Sequence, residues 1–315
     1  MWTTMLWIGL GVVLLIVGGE WLVRGASRLG RAARISPLVA GLTIVAFATS
    51  APEFAVSVRA ALSGEVTLAI GNVTGSNIAN VGLILGLSAL AAPLHVPHQL
   101  ARFDVRVMLG LFVLMWVLGA DGGFSRFDGL VLLAVLALYL TMLVVAARRL
   151  EHLVGEPAPI TPPTRRQIGE AAVLTVTGLV LLVLGADRLV TGAVDLARVL
   201  GVSERIIGLT IVAIGTSLPE LAASVVATVR GEREIAVGNV VGSNVFNILG
   251  VLGTTTVAAP VELTATAQTL SLDFPVMVGA GLACLWVCRS SRNITRIEGA
   301  ALLTGYVAYL LVLTL

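Results

Sequence analysis

Residues 41–86 begin with GLTIVAFATSAPEFAVS and end with AIGNVTGSNIANVGLILG, and residues 208–253 repeat them as GLTIVAIGTSLPELAAS and AVGNVVGSNVFNILGVLG. The two copies align without a gap at an offset of 167 positions, and 26 of the 46 residues are identical. The polar residues shared by both copies are Thr49/Thr216, Ser50/Ser217, Glu53/Glu220, Asn72/Asn239, Ser76/Ser243, Asn77/Asn244 and Asn80/Asn247. Matched polar residues in two apolar halves predict one site built from both copies.

The composition is that of a membrane protein. The mean hydropathy is +1.00 and 12% of residues are charged, against about 25% in a soluble domain. Apolar runs reach the roughly 20 residues that a helix needs to cross a bilayer, and the alternation typical of a membrane barrel is absent. We therefore predict an all-α integral membrane protein with ten transmembrane helices. The predicted spans are 5–23, 36–60, 67–91, 104–120, 128–147, 169–187, 205–229, 234–258, 268–288 and 297–315.

The basic residues predict the topology. All 20 are Arg, and 15 of them fall in loops on one side if the N-terminus lies outside. Positive residues concentrate on the cytoplasmic side of membrane proteins. Both termini are therefore expected to be extracytoplasmic.

The duplication extends beyond the motifs, since GGEWLVRGA at 18–26 matches GADRLVTGA at 185–193. We predict two five-helix repeats, 1–150 and 168–315, joined by a cytoplasmic linker at 151–167 that is rich in Pro. Five is an odd number, so the second repeat must enter the membrane from the opposite side. The two repeats are thus expected to be inverted relative to each other.

Glu53 and Glu220 are the strongest site candidates. A charged residue in mid-membrane costs about 2.5–3.5 kcal/mol on insertion scales, and no Arg lies in 35–58 or 206–229 to neutralise either one. Pro52 and Pro219 each remove a backbone donor and free a carbonyl one turn earlier. Carboxylates, hydroxyls, amides and carbonyls form an all-oxygen donor set, which suits Ca²⁺ or Na⁺ rather than zinc or copper.

Simpler interpretations exist for the other polar residues. Ser, Thr and Asn commonly tie membrane helices together, so each of them alone is compatible with a packing role. Asn77 and Asn244 are expected mainly to do this. Glu20 and Asp187 occupy equivalent positions at span ends, where pairing with Arg24 and Arg188 is favoured over a role in ion entry.

The paired motifs GLTIVAxxTSxPE and GNVxGSN resemble the repeats of the sodium/calcium exchangers. The resemblance implies Na⁺/Ca²⁺ antiport by alternating access, in which the first and sixth helices slide over the rest. It also implies a prokaryotic plasma (inner) membrane location. By position, Glu53 and Glu220 with the carbonyls of Thr49 and Thr216 would hold Ca²⁺. The Na⁺ ligands would add Ala46, Ser50, Ser76, Asn80, Ala213, Ser217, Ser243 and Asn247.

Asn247 departs from the family's potassium-dependent branch, which places Asp there, so K⁺ co-transport is not expected. We expect no cofactor, no nucleic acid partner and no enzymatic activity, with Ca²⁺ and Na⁺ as transported ions and lipid as the surroundings. The oligomeric state is open, and a monomer would suffice for transport. A proton-driven Ca²⁺ antiporter is the alternative function.

Overall fold

The computed structural model describes residues 2–153, 164–202, 207, 210–211, 213–259, 261–290 and 293–314. Within these ranges the helices are α1 (Trp2–Ala32), α2 (Pro37–Thr49), α3 (Ala51–Leu62), α4 (Val66–Ala91), α5 (Val105–Gly119), α6 (Arg126–Leu153), α7 (Arg165–Val199), α8 (Leu218–Val229), α9 (Arg233–Ala258), α10 (Thr269–Ser290) and α11 (Arg296–Thr314). A single helical turn, Ala213–Gly215, precedes α8. The short strands are β1 (Leu94–His95), β2 (Gly123–Phe124), β3 (Leu263–Thr264) and β4 (Asn293–Ile294).

The fold is mostly helical, as predicted for an integral membrane protein. Seven described helices are long and apolar enough to cross a membrane, or eight if the bent pair α2 and α3 is one span. α8 has 12 residues, which is short of the roughly 20 that a span requires. α5 has 15 residues but directly continues the π-helical segment Leu100–Asp104, which contains the charged Arg102 and Asp104, and this longer helix is not among the seven. The count of ten spans therefore remains a prediction.

The helices that contain the first and sixth predicted spans, 5–23 and 169–187, extend beyond those spans. α1 continues to Ala32 and α7 covers Arg165–Val199. Charged side chains on an exposed face do not interrupt a helix that has left the hydrocarbon. The capping box formed by Thr164 and Gln167 satisfies the first free N–H groups of α7, which explains where this helix begins.

α1 and α7 pack antiparallel through glycines repeated every seven residues. They are Gly11, Gly18 and Gly25 in α1 and Gly178, Gly185 and Gly192 in α7. A Cβ atom added at Gly18 would lie 2.7 Å from the backbone N of Leu182, and one at Gly185 would lie 2.8 Å from that of Leu15. Small residues allow membrane helices to approach this closely. The two glycine sets are related by the same 167-residue offset, so α1 and α7 are equivalent in sequence and run in opposite directions.

α4 and α9 form the centre of the molecule. In their apolar windows 78% and 94% of residues are buried, against 17–33% in the other long helices. Each widens into a π-helical segment, Asn80–Leu85 in α4 and Asn247–Leu252 in α9. π-Helical segments are rare in proteins overall, and those that occur are frequently found at functional sites. They lie at equivalent positions, and a predicted site residue begins each one.

The outer elements exchange partners between the two halves of the chain. α11 packs on the second half of α4, and α6 packs on the second half of α9. Likewise β1 pairs with β4 and β2 pairs with β3, both antiparallel. These strands were not predicted, because two-residue strands carry no period that a sequence can show. The reciprocal pairing ties each half to the other at both ends.

Candidate cation site

Glu53 and Glu220 occupy the same place in two broken helices. α2 ends at Thr49, α3 begins at Ala51, and the two are bent by 45°, so the predicted span 36–60 is interrupted where Pro52 led us to expect it. Glu53 and Glu220 lie in the first turns of α3 and α8, next to a Pro at the second helical position. A Pro is tolerated there, and the helix dipole favours a carboxylate.

Both carboxyl groups are fully enclosed by protein, since Glu53 and Glu220 are each 1% exposed. They lie near enough to repel each other. None of the ion pairs found in the described part of the chain involves either residue. Two carboxyl groups without a basic partner among the described residues are therefore brought together inside the protein, and their charge must be balanced by a proton or by bound cations.

Each carboxylate is approached by hydroxyl groups of the other repeat. The Ser217 hydroxyl donates to Glu53 Oε1 at 3.4 Å and lies 3.5 Å from Ser76 Oγ. In return, Ser50 lies beside Glu220 without hydrogen bonding to it. Residues separated by more than 100 positions thus share one polar centre.

Most of the buried side-chain oxygens of the predicted site residues have no hydrogen-bond partner among the described residues. Buried polar groups are nearly always paired, so a cluster of unpaired ones is informative. The unpaired atoms that belong to predicted site residues are Ser50 Oγ, Glu53 Oε2, Asn80 Oδ1 and Nδ2, Glu220 Oε1 and Oε2, Ser243 Oγ, and Asn247 Oδ1.

The remaining predicted residues lie at the helix breaks. Ala46 and Thr49 are buried, and the Thr49 hydroxyl lies 3.2 Å from Asn239 Oδ1, to which it donates. Thr216 is half-buried in the turn before α8, and Ala213 opens the single helical turn that precedes it. For Thr49 and Thr216 the predicted ligand is the backbone carbonyl.

Sequence reasoning missed the residues that hold the broken helices in place. Asn72 Nδ2 donates to Ser57 Oγ at 2.9 Å and to the Glu53 carbonyl at 3.2 Å. Asn239 Nδ2 donates to Ser224 Oγ at 2.9 Å and to the Glu220 carbonyl at 3.4 Å. Ser57 and Ser224 are equivalent and identical in the two copies, which was the available signal. These amides position the glutamates.

Asn77 and Asn244 differ, although the sequence treats them alike. Asn77 Oδ1 accepts from Asn247 Nδ2 at 3.3 Å, so Asn77 orients a predicted site residue. Asn244 Nδ2 donates to the Val240 carbonyl of its own helix at 2.9 Å. Asn77 therefore supports the site directly, whereas Asn244 stabilises a helix.

The donor set consists almost entirely of oxygen. Among the described residues no group of three or more His, Cys, Asp or Glu side chains comes together, so the centre has two carboxylates and otherwise neutral oxygens. A set of this kind matches hard cations such as Ca²⁺ and Na⁺.

The fold and this centre define a membrane transport protein, one that spans the bilayer with helices and encloses unneutralised carboxylates among unpaired oxygens. The family model described as sodium/calcium exchanger protein matches residues 3–145 and 170–315. The chain belongs to this family.

Named relatives agree over the full length. The chain is 40% identical over 306 residues to CaxA of Alkalimonas amylolytica, covering 95% of each protein. It is 33% identical over 339 residues to the sodium/calcium exchanger MaX1 of Methanosarcina acetivorans, covering 96% of each. A solved structure of the sodium-calcium exchanger NCX_Mj, soaked with 10 mM Na⁺ and zero Ca²⁺, is similar with a TM-score of 0.83 at 33% identity and 97% coverage of each chain.

Proposed function

We propose that this protein is a secondary active antiporter that exchanges Na⁺ for Ca²⁺ through one mid-membrane site formed by both repeats. The observation that carries the proposal is the pair Glu53 and Glu220, which are buried, close together and without a basic partner among the described residues. Membership of the sodium/calcium exchanger family supports the choice of ions.

Charge balance favours a single divalent ion or several monovalent ones. Two carboxylates carry two negative charges, and isolated charges are very costly away from water. One Ca²⁺ neutralises both, and so do two Na⁺. Competition between the two ions for the same carboxylates is the physical basis of exchange, because the site cannot hold both sets at full occupancy.

The proposed ligands divide by chemistry. Glu53 and Glu220 supply the charge, and the carbonyls of Thr49 and Thr216 complete the Ca²⁺ shell. The Na⁺ positions additionally use Ala46, Ser50, Ser76, Asn80, Ala213, Ser217, Ser243 and Asn247. Support for this set comes from the buried oxygens of Ser50, Asn80, Ser243 and Asn247, which have no hydrogen-bond partner among the described residues.

Alternating access follows from an inverted repeat. The antiparallel packing of α1 on α7 and the exchanged strand pairs β1–β4 and β2–β3 support inversion. Two inverted halves can swap conformations, which opens the site first to one side and then to the other. We propose that α1 and α7 move together over the remaining helices, with ten spans and both termini outside.

Proteoliposome uptake tests the ion coupling. Vesicles loaded with Na⁺ and diluted into Na⁺-free buffer should accumulate radioactive Ca²⁺, and added K⁺ should leave the rate unchanged because residue 247 is Asn. Vesicles carrying only a pH gradient serve as the matched arm. Uptake that follows the pH gradient and ignores Na⁺ would replace the proposal with a proton-driven antiporter.

Thiol labelling tests the topology. A cysteine introduced by Gly155→Cys in the linker should be inaccessible to a membrane-impermeant reagent in intact cells, whereas one introduced by Leu315→Cys at the C-terminus should react. The native Cys284 and Cys288 are buried, which keeps the background low. Labelling at 155 from outside would contradict the inverted arrangement.

A further inference from the structure

A cavity of about 250 Å³ lies between α1 and the turn that joins α8 to α9, away from the cation site. We refer to it as the arginine cavity. Its polar lining consists of Arg24, Ser27, Arg28, Arg31, Arg230 and Glu232. None of these residues belongs to the proposed cation site.

The arginine cavity has an excess of positive charge. Arg24 and Arg230 both contact Glu20, and the Ser27 hydroxyl lies 3.5 Å from Glu232. Four arginines thus face two carboxylates, which leaves a formal charge of +2. Such a cavity favours an anion.

Donors remain available in the cavity. Arg28 forms no hydrogen bond or ion pair within the described ranges, and Arg31 donates one hydrogen bond, to Ser27 at 2.7 Å. A guanidinium group has five N–H donors in a planar fork that matches the oxygens of a phosphate group. Arg24, Arg28 and Arg31 follow one another at spacings of four and three, so they lie on one face of α1.

The position of the cavity along α1 indicates the source of the phosphate. α1 has 31 residues and is about 46 Å long at about 1.5 Å per residue, which exceeds a hydrocarbon core of about 30 Å. Arg24 lies about 33 Å from the start of the helix by the same rise, and therefore at headgroup level. Trp21 and Val229, beside the cavity in sequence, are 37% and 72% exposed, and a Trp at this depth is typical of the membrane interface.

We propose that the arginine cavity binds the phosphate group of an anionic phospholipid headgroup, with the acyl chains along the exposed apolar surface near Trp21 and Val229. Because α1 forms one wall and the α8–α9 turn the other, the headgroup bridges the two elements and stabilises their present arrangement. This binding does not depend on which ions the protein exchanges.

Native mass spectrometry of the detergent-purified full chain measures the binding. Dioleoyl-phosphatidylglycerol should bind tightly at one site, and phosphatidylcholine with the same acyl chains should bind weakly. In the double variant Arg28→Gln/Arg31→Gln the affinity for phosphatidylglycerol should fall about 30-fold, because each arginine near an anionic headgroup contributes about a factor of five.

Two controls keep the test decisive. The variant Arg102→Gln/Arg106→Gln removes two exposed arginines at the start of α5 and should leave phosphatidylglycerol binding unchanged. Arg28→Gln alone should weaken phosphatidylglycerol binding about fivefold. This single variant keeps the test valid if the double variant does not fold. Equal binding of both lipids to the wild type, or equal losses in the two double variants, would overturn the proposal. Displacement of the lipid by inorganic phosphate at low millimolar concentration would overturn the lipid assignment in favour of a soluble anion.

Discussion

The two repeats agree closely at the cation site and differ at the ends of their first helices. Asn72 and Asn239 make the same two hydrogen bonds, each to a Ser hydroxyl and to the carbonyl of the site glutamate. Glu20 of α1 contacts Arg230, at the C-terminal end of α8, whereas its equivalent Asp187 pairs with its own neighbour Arg188. The interior is symmetric because both copies build one centre, and the ends differ because each meets different neighbours.

The two repeats also differ in the hydrogen bonds that they make around the two glutamates. The Ser217 hydroxyl donates to Glu53, but neither oxygen of Glu220 has a hydrogen-bond partner among the described residues. Thr49 is linked to Asn239, so the second repeat's amide serves both halves. The two glutamates should therefore be equally essential in charge, while the amides that position them should not be equally important.

The largest expected effect is the loss of either glutamate's charge. Glu53→Gln and Glu220→Gln preserve shape and remove one of two negative charges, which leaves a bound divalent ion uncompensated. Because charge interactions are far stronger in a low-dielectric interior than in water, each variant should lower Ca²⁺ uptake by about 100-fold or more. The measurement is uptake per folded molecule in proteoliposomes.

Asn77→Ala and Asn244→Ala give the matched comparison for those variants. Asn77 accepts a hydrogen bond from the amide of Asn247. Asn77→Ala should therefore reduce Ca²⁺ uptake more than Asn244→Ala does, but far less than either Glu→Gln variant. Near-normal uptake in Glu220→Gln, with Glu53→Gln inactive, would mean that the site belongs to one repeat.

The next effect is expected at the α1–α7 interface. Gly18→Ala and Gly185→Ala place a Cβ 2.7–2.8 Å from backbone nitrogen atoms of the other helix, so the helices must separate. Overpacking of this kind costs about 1–3 kcal/mol, and equivalent positions should give similar losses of thermal stability in detergent.

Gly169→Ala is the control for that pair. No described atom lies within 4 Å of a Cβ at Gly169, and Ala is favoured over Gly in a helix by about 1 kcal/mol. This variant should be neutral or slightly stabilised. A loss of thermal stability in Gly18→Ala without a comparable loss in Gly185→Ala would contradict the symmetric packing of the two helices.

A smaller difference is expected between the positioning amides. Asn239 is fully buried and accepts from Thr49 in addition to its two donated bonds, whereas Asn72 is half-buried and only donates. Leaving buried partners unsatisfied costs about 1–3 kcal/mol. Asn239→Ala should thus lower the melting temperature more than Asn72→Ala, and the reverse order would show that the repeats are not supported as described.

The smallest effect is expected at the helix ends. Glu20 has two arginine partners and a side chain 28% exposed, while Asp187 is 58% exposed and pairs with Arg188 alone. Exposed ion pairs contribute little. Glu20→Gln should lower thermal stability slightly at low salt, Asp187→Asn should not, and high salt should reduce the difference.

The sequence was sufficient to predict the membrane class, the two buried glutamates and the disturbance that Pro52 causes in the second span, because identity between the copies and Pro next to Glu are local signals. It could not separate Asn72, which positions the Glu53 backbone, from Asn80, whose amide has no partner. Both lie on the same stripe of α4. Only the packing of α3 decides which amide is already used.

Contacts between distant segments were also beyond the sequence. Pairing of Glu20 with Arg24 is confirmed, but the contact with Arg230 depends on how α1 lies against α8. The seven-residue spacing of the glycines in α1 and α7 was visible in the sequence, but the sequence did not show that these two helices pack against each other.

The number of Ca²⁺ ions bound per chain tests most directly whether both repeats form one site. Equilibrium dialysis with radioactive Ca²⁺ in Na⁺-free detergent solution should give about one ion per folded wild-type chain, and none for Glu53→Gln or for Glu220→Gln, because one divalent ion needs both carboxylates. Two ions per wild-type chain, with one retained in each variant, would show two independent half-sites and contradict the account.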